Sequence, residues 1–195
     1  VDFLHRFLHQ IGVDTFALAG NSLGGEIAWK YALAHPADVS KLILVDPAGF
    51  YSKEKGNGAI IFKLAKIKWL ANLMGKMDTK IIVNRTLEDV YEDDTKITEA
   101  QKQLYYDMSL REGNRESFSA RVQQIDKEPK LDISRIETPT LIQWGKEDKL
   151  LDISLLDNFT KIPYNKVVVY HHCGHSPQEE IPATSVVDVL SFLKK

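Results

Sequence analysis

Gly20-Asn21-Ser22-Leu23-Gly24-Gly25 sets one serine between glycines two positions before and two positions after it. A serine hydroxyl attacks a carbonyl carbon only when a base within hydrogen-bond reach takes its proton. Two later stretches supply the missing groups. Gln143-Trp-Gly-Lys-Glu-Asp148 offers a carboxylate, and His171-His-Cys-Gly-His-Ser-Pro-Gln178 offers the imidazole of His175. With Ser22 as nucleophile, His175 as base, and Asp148 as the acid that orients the ring and stabilises its charged form, the three make an acyl-transfer site. The expected reaction is attack by Ser22 on an acyl carbon to give an acyl-enzyme, then release of the acid by water that His175 activates. The Leu23 backbone N–H, at the head of a predicted helix, is the expected oxyanion donor. Asn21 and Leu150, beside the nucleophile and the acid, are the expected substrate-binding residues. No cofactor is expected for this chemistry. No metal is expected either, since no His/Cys/carboxylate cluster has metal-ligand spacing along the chain.

The rival assignments are specific. Read alone, residues 20–25 are a glycine-rich turn with an incidental serine. They are not a phosphate loop: no Gly-Lys-Ser/Thr is present, and the glycines do not follow Gly-x-Gly-x-x-Gly. Asp46 also follows a predicted strand and stays open as the alternative acid. Glu147 adjoins Asp148 and is expected to point into solvent. His171 and His172 precede the glycine that turns their loop and read as strand-end residues. Cys173 reads as a small buried side chain. His5, His9 and His35 lie on helices or at a helix end and read as surface residues.

The elements that must position these groups follow from hydrophobic period. Phe3, Leu4, Phe7, Leu8 and Ile11 mark one face of a helix, which Gly12 closes. Thr15 to Gly20 reads as a short, fully buried strand. Residues 25–34 read as a helix that ends at His35-Pro36, because the residue before a proline is pushed out of the helical region. Lys41 to Val45 is the next strand, with a turn at Asp46-Pro-Ala-Gly49. From Tyr51 to Ile133 helical patterns replace strands, at residues 59–75, 79–92, 98–112 and 114–126, with polar linkers at 53–58 and 128–130. Strands return at Thr140 to Trp144 and Lys166 to Tyr170. A last helix runs through Val186, Val187, Val189, Leu190, Phe192 and Leu193. Buried strands alternating with helices predict a parallel sheet covered on both faces. Ligands then sit at the C-terminal ends of its strands, which is where Ser22, Asp148 and His175 fall. A glycine is expected at both 20 and 24, since a side chain at either would collide inside so tight a strand-to-helix turn.

The bulk properties narrow the partners. The chain has 195 residues, 27% charged and 44% hydrophobic, with a formal net charge of −2. No excess of basic charge is available for phosphates, so nucleic acid is not an expected partner. The single cysteine excludes an intrachain disulfide framework and fits a reducing, cytoplasmic setting. No apolar run approaches the roughly 20 residues of a transmembrane helix. The stretch from Phe62 to Met74 is basic and amphipathic. It is expected to be a lid helix, with a lipid-interface helix as the rival reading.

Together Gly20 to Gly25, Leu42-Ile-Leu-Val-Asp-Pro-Ala-Gly49, Trp144-Gly-Lys-Glu-Asp148 and Cys173-Gly-His-Ser-Pro-Gln-Glu-Glu-Ile-Pro182 resemble the α/β-hydrolase superfamily. The branch they resemble is the capped one, similar to meta-cleavage-product C–C hydrolases and related carboxylesterases. Asn21 and Asp94-Thr-Lys-Ile-Thr-Glu99 carry the likeness to the C–C hydrolases. The resemblance implies a core from residues 1–50 and 133–195 and an inserted helical cap over 51–132. It also marks two departures from C–C bond chemistry. Tyr105 stands where those enzymes carry a cap arginine that grips the substrate's acidic end, and Ser176 stands where they have a tryptophan. The resemblance therefore favours a small-molecule acyl ester as substrate, with C–C bond hydrolysis as the alternative. The family's sheet has further strands, and a second oxyanion donor, ahead of the nucleophile strand. The expectation is thus a C-terminal part of the fold, with Thr15 to Ala19 as an open edge that pairs with a missing N-terminal segment or a second copy. A weakly active structural or interaction module is the alternative of another class.

Overall fold

A computed structural model describes residues 1–50, 80–124 and 129–194 of the chain. Four strands form one parallel sheet: β1 (Phe16–Asn21), β2 (Val39–Val45), β3 (Thr140–Gly145) and β4 (Asn165–Tyr170), ordered β1-β2-β3-β4. The register sets Asn21 beside Val45, Val45 beside Gln143, and Gly145 beside Tyr170. All four strands therefore end at one edge, and the loops after them meet there.

Helices α1 (Asp2–Gln10) and α2 (Leu23–Ala34) flank the first strand in sequence. The apolar face predicted for α1 is split in two. Leu4 and Leu8 pack on the core, while Phe3, Phe7 and Ile11 are exposed. Gly12, at φ +74°, donates its N–H to the His9 carbonyl and closes the helix. Trp29, Tyr31, Leu42, Leu44, Ile142, Trp144 and Phe159 build the core on one face of the sheet. On the other face Ile43, Val45 and Leu141 meet Val189 and Phe192. Gly49 shows why the turn after β2 ends in glycine. Its φ is +116°, and a β-carbon there would come within 2.6 Å of the Trp29 ring.

β3 is buried along its whole length, but β1 alternates, with Ala17 and Ala19 exposed. The expectation of full burial for β1 is thus corrected. It is an edge strand among the described residues, and a hollow of about 500 Å³ opens beside it, lined by Ala19, Ile43, Pro182, Val186 and Val189.

Between β2 and β3 the described residues are helical: α3 (Lys80–Val90), α4 (Glu99–Leu110) and α5 (Asn114–Gln124). Thr98 and Gln101 form a reciprocal capping box at the start of α4. Leu87, Val90, Tyr91 and Ile97 make a small separate core against Tyr105 and Leu150. The predicted linker at 53–58, the helix at 59–75, the basic stretch from Phe62 to Met74 and part of the 128–130 linker lie outside the described residues. After β3 come a four-residue helix α6 (Leu156–Phe159), β4, a short α7 (Pro177–Glu180), and α8 (Pro182–Leu193).

Candidate active site

The turn from β1 into α2 is strained at one residue. Ser22 has φ 52° and ψ −118°, a backbone conformation that L side chains rarely adopt. Backbone bonds hold it there: the Ser22 N–H donates to the Val45 carbonyl at 3.0 Å, and the Ser22 carbonyl accepts from Ala48 at 2.9 Å and Glu26 at 3.0 Å. Leu23 heads α2, so its N–H is among the first-turn donors without an intrahelical acceptor. The glycines around the serine are not equivalent. A β-carbon on Gly20 would lie 2.2 Å from the Gly24 carbonyl oxygen. One on Gly25 would meet Pro47 at 2.8 Å, whereas one on Gly24 meets nothing within 4 Å among the described residues. The expected collision at position 24 is thus corrected to position 25, because Pro47 of the next turn packs there.

Asp148 and His175 come together at the ends of β3 and β4. His175 Nδ1 and Asp148 Oδ2 are 2.7 Å apart, with both side chains buried. The other oxygen of Asp148 accepts from the Leu150 N–H at 2.7 Å and the Leu151 N–H at 2.9 Å. The contact engages the Nδ1 edge of the imidazole, so a proton held there leaves Nε2 to act as the acceptor. Asn21 ties this pair to the elbow. Its side-chain amide donates to the Val45 carbonyl at 3.1 Å and the His175 carbonyl at 3.0 Å. The two residues expected to bind substrate instead brace the site here: Asn21 by its amide, and Leu150 by the N–H it gives Asp148 while its side chain packs against the cluster of Leu87, Val90, Tyr91 and Ile97.

Asp46, in the turn after β2, lies close to Asp148 and His175 and is fully buried with φ 40°. One carboxyl oxygen accepts from the Gly145 N–H at 2.8 Å, and the other has no hydrogen-bond donor among the described residues. Burial first, and then the neighbouring Asp148, pushes this carboxyl well above the usual carboxylate range. The geometry therefore joins His175 to Asp148, with Asp46 nearby and bonded instead to Gly145.

The insertion grips the histidine loop. The His175 N–H donates to the Val90 carbonyl at 2.7 Å. Glu180, its side chain fully buried, accepts from the backbone N–H groups of Gly174 at 2.7 Å, Asp93 at 3.0 Å and Glu92 at 3.2 Å. Lys149 caps the Glu88 and Tyr91 carbonyls, each at 3.0 Å. Tyr91 and Tyr105 both donate their hydroxyls to Glu179. Below the elbow, buried Glu26 accepts from Arg121 of α5 at 2.8 Å and from Lys30 at 2.6 Å. None of these contacts was read from the sequence. A glutamate inside the apolar run of α2 and two glutamates after the histidine were the available signals.

The remaining rivals have defined places. Glu147, expected in solvent, instead accepts from the Cys173 N–H at 3.3 Å. Cys173 is buried, and burial with the nearby Glu180 and Asp46 carboxyls raises its thiol far above the range in which a thiolate forms. His172 takes φ 56° in the loop after β4, and His171 lies 3.5 Å from Lys146. His5 and His9 are not isolated surface residues. His5 at 3.1 Å, His9 at 3.3 Å and the Tyr31 hydroxyl at 2.7 Å converge on one oxygen of Asp38, and His35 stacks on His5. The i, i+4 spacing of His5 and His9 on one helix was the signal for that group. Two sets of ligand-type side chains thus meet in space though not in sequence: Asp46, Asp148 and His175, and His5, His35 and Asp38.

Comparison with known proteins agrees with this architecture. The family model for the alpha/beta hydrolase fold matches residues 1–182. A monoacylglycerol lipase of Xenopus laevis is 31% identical over 209 residues, covering 97% of this chain and 58% of the lipase. A 2-hydroxymuconate semialdehyde hydrolase of Pseudomonas putida is 26% identical, covering 89% of this chain and 60% of that enzyme. A solved meta-cleavage product hydrolase superposes with a TM-score of 0.81 at 23% identity, over 99% of this chain and 70% of its own. The chain spans less than two thirds of the length of the lipase and the semialdehyde hydrolase. Among the described residues no helix is long and apolar enough to cross a membrane.

Proposed function

Because this chain belongs to the alpha/beta hydrolase fold family, we propose that it carries the nucleophile, acid and base of a serine hydrolase that cleaves carboxylic esters. The observation that carries the reading is the buried 2.7 Å contact between His175 and Asp148, braced by Asn21 against an elbow strained at Ser22. In this mechanism Ser22 attacks the acyl carbon as His175 takes its proton, and the Leu23 N–H donates to the oxyanion. The alkoxy group leaves with that proton. Water then gives a proton to His175 and attacks the acyl-enzyme, and His175 returns that proton to the Ser22 oxygen as the acid leaves. Hydrolysis of p-nitrophenyl esters by the wild type and by Ser22→Ala tests the assignment. Loss of turnover, with fluorophosphonate labelling confined to Ser22, supports it, and equal rates overturn it.

Ester cleavage is preferred to C–C bond cleavage on one observation. Tyr105 stands where the C–C hydrolases carry an arginine, and its hydroxyl donates to Glu179 at 2.8 Å, so the position offers a carboxylate partner and no cation. Faster decay of a meta-cleavage dienoate than of any ester would reverse that preference.

The place of β1 at the end of the strand order among the described residues supports a second element of the proposal. A further strand, from an N-terminal segment or a second copy, adds to β1, and an N-terminal segment would also bring the second oxyanion donor. Loss of one such donor costs about 10²–10³ in rate. Mass in solution, measured beside the esterase rate with and without an added N-terminal segment, tests it. A monomer with undiminished rate overturns it.

A further inference from the structure

Asp46 is a carboxyl that the proposed mechanism leaves unused, and it is fully buried at the catalytic edge. Asp46 follows β2, between the strand that feeds Ser22 and the strand that feeds Asp148. It is 0% exposed. An oxygen of Asp46, an oxygen of Asp148 and a nitrogen of His175 all lie within 4.8 Å of one another. Two ionised carboxylates at such a distance, away from water, repel strongly, so one of them keeps a proton.

The surroundings decide which. Asp148 has three donors, the Leu150 and Leu151 N–H groups and His175, all within 2.9 Å. Asp46 has one, the Gly145 N–H, and its second oxygen meets none among the described residues. A buried oxygen without a donor is costly as part of an anion, whereas the same atom as a hydroxyl needs an acceptor, and an acceptor is what Asp148 presents. The other ionisable groups facing Asp46 are Glu180 and Cys173, which add no positive charge. Lys96 turns to Glu180, 3.7 Å away.

We infer that Asp46 is a positioning residue, a neutral carboxylic acid that donates a hydrogen bond to the Asp148 carboxylate and holds it against His175. Asp46 moves no proton in the reaction. It acts by keeping Asp148 ionised and in place, so the inference rests on the proposed roles of Asp148 and His175 for its kinetic consequence but not for its protonation.

Infrared difference spectroscopy between the wild type and Asp46→Asn reads the protonation directly, without reference to any substrate. Asparagine suits the position because it tolerates a positive φ, accepts from Gly145 through its oxygen and donates to Asp148 through its amide. A carboxylic-acid carbonyl band near neutral pH in the wild type, absent from the variant, is the expected result. A wild type with no such band overturns the inference even if Ser22→Ala abolishes turnover. The kinetic arm compares Asp46→Ala with Asp46→Asn on a p-nitrophenyl ester. Alanine should lower kcat by about 10–100-fold, the usual loss for an outer partner of an active-site group, with little change in KM and a shifted pH profile. Asparagine should recover most of that loss. Asparagine as slow as alanine, or alanine as fast as the wild type, refutes the positioning role. If Ser22→Ala leaves turnover intact, the proposed function fails while the infrared band still decides the state of Asp46.

Discussion

Replacing Glu180 by alanine should destabilise the fold more than any surface substitution, and the size of the loss can be worked from its bonds. The carboxylate is wholly buried and serves three backbone N–H groups. Gly174 is buried, so its N–H would lose its acceptor outright, a loss of about 1–3 kcal/mol. Glu92 and Asp93 are half-buried, so water replaces part of their bonds and their joint loss is about 1–2 kcal/mol. Removing a buried anion returns some desolvation energy, leaving a net cost of about 3 kcal/mol. For a chain of this length that lowers Tm by roughly 6–12 °C. Glutamine keeps one neutral acceptor and should lose about half as much, since charged acceptors bond roughly twice as strongly. Urea unfolding of the wild type and both variants gives the numbers. An alanine variant within about 1 kcal/mol of the wild type would mean that burial of the charge cancels its bonds. Glu180 would then hold the histidine loop in register without stabilising it.

Other outcomes follow from the same geometry. Asp148→Asn should lower kcat by about 10⁴-fold while the protein stays folded, because its amide faces His175 Nδ1 and favours the wrong tautomer. Severe loss in Asp46→Asn instead would move the acid to Asp46. Gly25→Ala should lower stability and activity through its contact with Pro47, whereas Gly24→Ala should cost little, as thermal melts of the pair will show. The raised pKa of Asp46 gives a pH signature. Its proton is bound more tightly in the folded than in the unfolded state, so its contribution to stability is whole below about pH 4 and is lost as pH rises through the folded value. Asp46→Asn should therefore gain on the wild type in urea midpoints between pH 5 and pH 8, and a constant difference would contradict the shift.

The meeting of the three loops at one edge of the sheet was legible because the patterns that mark it are local. Gly20-x-Ser22-x-Gly24, a carboxylate just past one strand and an imidazole just past the next are patterns of a few residues, and a parallel sheet brings the three loops to one side. What the sequence hid depends on partners distant in the chain. That Gly25 rather than Gly24 is the crowded position follows from where Pro47 packs. That Glu147 holds the Cys173 N–H depends on two strand-end loops folding against each other. The group around Asp38 needs α1 to lie across the end of α2 before its histidines become neighbours. β1 reads as buried because Phe-Ala-Leu-Ala is apolar throughout, yet alanine is small enough to leave on an open face.

The long excursion between β2 and β3 also has a kinetic meaning. The first two strands are linked through α2 alone, and pairing them closes a short stretch of chain. Pairing β3 with β2 must wait until 94 residues, from Asp46 to Pro139, have been brought round. Loop-closure entropy grows only with the logarithm of length, so halving that excursion eases the step by about 0.6 kcal/mol. A loss that small is roughly a threefold change in rate. Segments of very different length can thus sit between these two strands with the docking of β3 slowed only slightly, and the β1–α2–β2 unit can form first and wait for the rest.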